Sequence, residues 1–233
     1  QPHRLVLGLA STDRANLLAY LRQLDGRAAA GPGATPTATP PPTVPPTATR
    51  TPSATPPAVT PGVVAGTVRH AGDGAGVAGI DVTLSGAAQA TTQTIATGAF
   101  AFANVAPGAW ILRGARQGGT AGAVDAGDAS VALRLAVGLQ TAGGAQALAC
   151  DVSGDGTISA YDAAKLLQRL AGAIPRFPVA VVCGSDWLVV PAAGGAPPII
   201  GSGACTPAAL AVSPPISAAD FTAAAFGDCA LDR

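Results

Sequence analysis

The sequence predicts a multidomain chain: a small antiparallel β-sandwich, an α-helical loop–helix repeat, and an irregular or β C-terminal extension. Three observations predict it. Apolar residues alternate with a period of two over much of residues 62–117. A loop-and-helix pattern at residues 122–138 recurs at 156–172. Short apolar runs broken by Pro and Gly fill residues 176–233.

Composition narrows the chemistry. The 233 residues carry a formal net charge of zero, with no Met and no Glu. Without Met, Gln1 reads as a processed or truncated start. His3 and His70 are the only histidines and Lys165 the only lysine. An HExxH zinc helix is therefore absent and a His-dependent triad poorly supplied. A paired-carboxylate hydrolase would have to run on Asp alone. The expectation is a non-catalytic chain. Arginines scattered through a neutral sequence make no basic stripe, which argues against a nucleic-acid partner. No apolar run approaches the ~20 residues of a membrane span.

Residues 3–26 read as one helix. Leu17, Leu18, Leu21 and Leu24 recur at helical spacing after a Ser11-Thr12-Asp13 cap, and Gly26 stops it. The string DRANLLAYLRQLDG resembles the last helix of a c-type cytochrome domain, which implies that residues 1–30 close an upstream domain. Residues 31–61 hold eleven prolines and nine threonines and almost no large apolar side chain. Such a tract cannot bury enough surface to offset its ordering entropy, so it is expected to be a disordered, extended linker.

Residues 62–117 carry strand signals. Val63-Val64-Ala65-Gly66-Thr67-Val68-Arg69 runs into the turn AGDGAGVAG, and Ile80, Val82 and Leu84 then alternate with Asp81, Thr83 and Ser85. Phe100 with Phe102, and Trp110 with Leu112, repeat that period around the turn Ala106-Pro107-Gly108. His70, ending the first strand, reads as a solvated turn residue. The pattern GTV…VAGIDVTLSG…TIATGAFAFANVAPGAWILRG resembles the carboxypeptidase regulatory-like modules, relatives of the Cna-B and transthyretin-like sandwiches. That resemblance implies a spacer or binding surface.

Residues 118–175 hold the repeat. Val124 pairs with Ile158, Asp128 with Asp162, Leu133 with Leu167 and Gly138 with Gly172. Ala163, Leu166, Leu167 and Leu170 are expected on one helical face. Ahead of the second helix, Asp151, Ser153 and Asp155 stand at positions 1, 3 and 5 of a twelve-residue loop, with Gly156 at position 6. Thr157 would offer its carbonyl, Ser159 would act through a water, and Asp162 closes the loop. This is the oxygen spacing of a Ca2+ site, and it predicts one bound Ca2+. In the first copy the same early positions fall on Gln117, Gly119 and Ala121, leaving only Asp125 and Asp128. That copy reads as a degenerate loop, with Asp128 capping its helix.

Asp at the closing position, and TAGGAQALA as a poor entering helix, separate this unit from an EF-hand. It resembles a type I dockerin. That resemblance implies docking to a cohesin, with contacts at Ala160, Tyr161, Leu167 and Gln168, and at Ala126 and Gly127 in the first copy. The Ser-Thr pair common at these positions is missing, which departs from the pattern that a standard cellulosomal cohesin reads.

Residues 176–233 resemble extensions that follow such repeats in secreted bacterial proteins. Residues 221–226 are compatible with a strand, although Ser217 with Asp220 also looks like a helix start. Val131, Leu135 and Leu139 would be covered by this segment or else form a partner patch. Four cysteines at wide spacing suggest a secreted, disulfide-bonded chain. Of three possible pairings, Cys150–Cys183 with Cys205–Cys229 is preferred because the first would clamp the loop–helix unit. The expected function is Ca2+-dependent docking of an extracellular modular protein, with an intramolecular, Ca2+-stabilised stalk as the alternative.

Overall fold

The computed structural model describes residues 60–232. The helix expected at 3–26 and nearly all of the Thr/Pro linker lie outside the described residues. The described residues fall within one compact unit.

Five strands follow the pattern read from the sequence: β1 (Gly62–His70), β2 (Asp81–Ser85), β3 (Gln89–Gln93), β4 (Ala99–Val105) and β5 (Trp110–Ala115). Helices α1 (Ala126–Ala136), α2 (Gly144–Cys150), α3 (Ala160–Leu170) and α4 (Pro178–Cys183) come next. The chain then returns to strands: β6 (Trp187–Pro191), β7 (Ile199–Gly201), β8 (Ala204–Thr206), β9 (Leu210–Val212) and β10 (Phe221–Ala225). Two four-stranded sheets face each other, in the orders β4-β1-β10-β6 and β3-β2-β5-β9, with β7-β8 as a small hairpin.

The C-terminal residues, expected as an extension beside the sandwich, supply strands to both of its sheets. β10 lies parallel to β1, with Val68 opposite Phe221, and antiparallel to β6. β9 pairs with β5. The amide and hydroxyl of Thr67 both donate to Asp220 Oδ1 at 2.8 Å and fix the entry to β10. The physical reason is the unpaired edge of β1, whose amides and carbonyls need partners once its neighbouring side chains are buried.

Alternation along β6 and β10 joins two cores. Trp187, Val189, Phe221, Ala223 and Ala225 pack into the sandwich with Val68, Ile80, Val82 and Leu112. Leu188, Ala224 and Phe226 face the helices and meet Ala132, Ala149, Val152, Leu166 and Val179. A strand buried on both faces has no polar side, which explains the run Phe-Thr-Ala-Ala-Ala in β10. Burial of Leu166, with no exposed surface, is worth about 1.5–3 kcal/mol.

Helix α2 departs from the sequence reading, which found TAGGAQALA too poor to form one. Gln146 forms it from the side: its Oε1 accepts from the Gly143 amide at 3.3 Å, and its Nε2 donates to the Cys229 carbonyl at 2.7 Å. The disulfides also differ from the expected pairing. Cys150 is bonded to Cys229 and Cys183 to Cys205, in place of Cys150–Cys183 and Cys205–Cys229. The return of β10 along the helical core carries Cys229 to the end of α2, while α4 packs against β8 and so reaches Cys205.

His70 is also corrected. It is buried: its Nε2 lies 3.1 Å from Asp228 Oδ2 and its Nδ1 3.1 Å from Asp73 Oδ1. Burial pushes the Asp228 carboxyl up, and its contact with His70 pulls the other way.

Candidate metal centre and docking face

Two capping boxes start the repeat helices. In α1, Asp125 Oδ1 accepts from the Gly127 amide at 2.6 Å and Asp128 Oδ2 from the Asp125 amide at 2.8 Å. In α3, Ser159 Oγ accepts from the Tyr161 amide at 3.1 Å, while Asp162 Oδ2 accepts from the Ser159 amide at 2.9 Å. Each box satisfies orphan amides at a helix start. Asp128 therefore does cap its helix, as expected.

The loop before α3 winds around two buried carboxylates. Asp151 Oδ1 accepts from the amides of Gly154 and Asp155 at 2.8 and 3.2 Å, and Asp151 Oδ2 from Gly156 at 2.8 Å. Gly156 sits at φ +93, a conformation that side chains rarely adopt. Ser153 ties the ends of the loop together: its Oγ donates to Asp151 Oδ1 at 3.0 Å and its amide to Asp162 Oδ1 at 2.9 Å. Positions 1, 3 and 12 are thus brought together. Half-buried Ile158 packs on the helical core and anchors the loop.

Asp155 takes a different course from the convergence expected of it. It is exposed, and its Oδ1 accepts from the hydroxyl and amide of Thr157 at 2.8 and 2.9 Å. The Thr157 hydroxyl, then its amide, and to a lesser extent the Ser153 hydroxyl hold the Asp155 carboxyl below its usual range. Among the described residues, no three Asp, Glu, His or Cys side chains are gathered at metal-ligating separation. Local donors explain the arrangement, since each carboxylate finds protons in its own turn.

These residues fit a hard cation by their chemistry. Asp151, Ser153, Asp155 and Asp162 supply oxygen only, and Ser153 already links Asp151 to Asp162 by its hydrogen bonds. Ca2+ prefers six to eight oxygens from such a flexible set. Together with the Thr157 carbonyl and Ser159, these residues would hold it, and the ion would neutralise the clustered negative charge.

The first copy has no such set. Gln117 Nε2 donates to the Gly184 carbonyl at 3.3 Å. Asp128 is buried and committed to backbone amides, and burial raises its pKa.

The helices expose several apolar side chains. Leu133 and Leu167, equivalent in the repeat, are 45% and 52% exposed, and Tyr161, Leu170, Val137 and Leu139 are exposed beside them. Of the four residues read on one helical face, Ala163 and Leu166 are buried, whereas Leu167 and Leu170 are exposed. Of the three residues proposed for covering, Val131 is buried, Leu135 packs partly on the helical core and Leu139 is open. Ala160, Gln168, Ala126 and Gly127 are exposed. Lys165 bridges two of the expected contacts, donating to Gln168 Oε1 at 3.1 Å and lying 4.9 Å above the Tyr161 ring.

Fold and loop together define a β-sandwich joined to a loop–helix repeat. Comparison with family models agrees. Residues 62–118 match the second β-sandwich domain of the NOMO1-like subunit of the BOS complex, and residues 121–171 match the dockerin type I domain. The chain thus carries a dockerin type I segment, a calcium-binding docking module in general, directly after a sandwich. A comparison with curated proteins finds no match.

Proposed function

We propose that this chain is a non-catalytic, extracellular docking segment that holds one Ca2+ in its second loop and binds a cohesin-type protein domain. In this reading, docking attaches the rest of its polypeptide to an extracellular complex or cell surface. The observation that carries it is Ser153, which joins Asp151 to Asp162 beneath a matched dockerin loop. Ca2+ would rigidify the loop and hence the start of α3, and the exposed Leu133–Leu167 face would meet the partner. Its two disulfides support an oxidising compartment. Among the described residues, no helix is long and apolar enough to cross a membrane.

A second reading has its own support. The repeat packs on the sandwich through Leu188, Ala224 and Phe226, as an intramolecular stalk would. Calorimetric Ca2+ titration of the full chain, followed by capture on cohesin domains, tests both. Docking predicts one Ca2+ per chain, lost in Asp151→Ala/Asp162→Ala, and capture that disappears on chelation. It also predicts that Leu133→Asp/Leu167→Asp abolishes capture with Ca2+ affinity unchanged. A chelation-sensitive Tm with no capture by any cohesin would favour the stalk.

A further inference from the structure

We propose that the degenerate first loop, residues 117–122, together with Arg169 forms an anion site for a carboxylate-bearing sugar acid. The second loop gathers carboxylates, whereas the first carries none at its early positions. Its position-3 residue, Gly119, lies against Arg116: a Cβ there would come 2.0 Å from Arg116 Nη2. Arg116 is not free to withdraw, because its Nη1 donates to the Ala78 carbonyl at 2.8 Å and its guanidinium stacks 4.9 Å from the Trp187 ring. A cation-binding side chain is thus replaced by a fixed positive charge.

The rest of the site consists of donors. Among the described residues, the amides of Gly119, Thr120, Ala121 and Gly122 have no hydrogen-bond partner, nor does the Arg169 side chain. Arg169 lies in the last turn of α3, where it also complements the helix dipole. Between this helix end and the loop run two adjoining clefts of about 430 and 290 Å³, which share Gly118, Thr120, Arg169 and Phe177. Arg176 lines the second cleft. Asp186 is the counter-charge, accepting from Arg176 Nε at 2.8 Å and the Gly118 amide at 2.6 Å. Arg169 and Arg176 therefore line the second cleft beside a single carboxylate, and unpaired amides supply further positive potential.

Such a donor-rich, acceptor-poor site repels a divalent cation and attracts an anion. Its volume far exceeds what a bare carboxylate needs and falls in the range of small-ligand sites. A sugar acid would place its carboxylate on Arg169 and its hydroxyls on the loop amides and Thr120. The inference stands apart from the Ca2+ reading, since it uses no ligand of the second loop.

The test is a titration of the full chain with glucuronate, followed by the amide NMR signals of residues 119–122. Glucose is the neutral control, and the peptide Gly-Asp-Gly is the acidic-peptide alternative. Glucuronate is expected to shift these signals with a Kd of about millimolar. Arg169→Gln should weaken it about tenfold, and Arg113→Gln, on β5, should leave it unchanged. No shift with glucuronate, equal affinity for glucose or for Gly-Asp-Gly, or an unaffected Arg169→Gln variant would each overturn the proposal.

Discussion

The amide of Ala230 donates to Asp128 Oδ1 at 2.9 Å, from 102 residues further along the chain. Asp162, its equivalent in the second repeat, takes the amide of Ser153 at 2.9 Å through the same oxygen. The C-terminal residues therefore fill, in the first repeat, the place that loop backbone fills in the second. The first helix start is completed by backbone from beyond β10.

Removing that contact should weaken the fold without touching Ca2+ binding. Asp128→Ala deletes half of a capping box and strands a tail amide, at a cost of about 2 kcal/mol. Urea unfolding should show that loss, while calorimetric titration returns the wild-type Ca2+ affinity. A fall in Ca2+ affinity would mean that the first loop shares the site.

Asp128 also makes stability depend on pH. Burial raises its pKa above the usual 3.8, and the nearby Asp228 charge adds to the effect. The folded chain then binds a proton more readily than the unfolded one. Its contribution is complete below pH 3.8 and is lost as pH rises through the raised folded value. Wild type should therefore gain stability relative to Asp128→Asn as pH falls from 7 to 4, measured by urea unfolding at each pH. A constant difference would show that Asp128 does not titrate in that window.

Loop length ranks the two disulfides. Cys150–Cys229 spans 79 residues and Cys183–Cys205 spans 22. Each should contribute about 2–5 kcal/mol, and the longer closure about 1 kcal/mol more on chain entropy. Chemical unfolding of Cys150→Ala/Cys229→Ala against Cys183→Ala/Cys205→Ala measures the order. The reverse order would indicate that native packing outweighs chain entropy.

At Gly156 the backbone carries the cost. With φ +93, Ala is strained by about 1–2 kcal/mol. Gly156→Ala should lower both Tm and Ca2+ affinity, since the Asp151 carboxylate is wrapped by this turn. Unchanged affinity would separate the turn from the metal site.

The twelve-residue loop, the repeat helices and strands β1, β2, β4 and β5 were legible because their signals are local: residues two apart, three or four apart, or within one turn. Other features depend on partners distant in sequence. His70 resembles a turn residue until Asp228 arrives from the far end of the chain. Helix α2 needs Gln146 to meet Cys229. The strand at Phe221–Ala225 has little intrinsic β preference in its alanines, so only its two buried faces explain it. The cysteine pairing was missed for the same reason, because it follows the path of β10.

That path has a temporal consequence. β10, synthesised long after β1, lies between β1, the first described strand, and β6. While the polypeptide is still emerging, β1 has its β4 neighbour but must wait for the other, and the sheet stays open through the making of the whole repeat. Completion is therefore a late, cooperative event of high contact order. A nascent chain that reaches no further than Asp220 would expose the apolar seam that β10 closes.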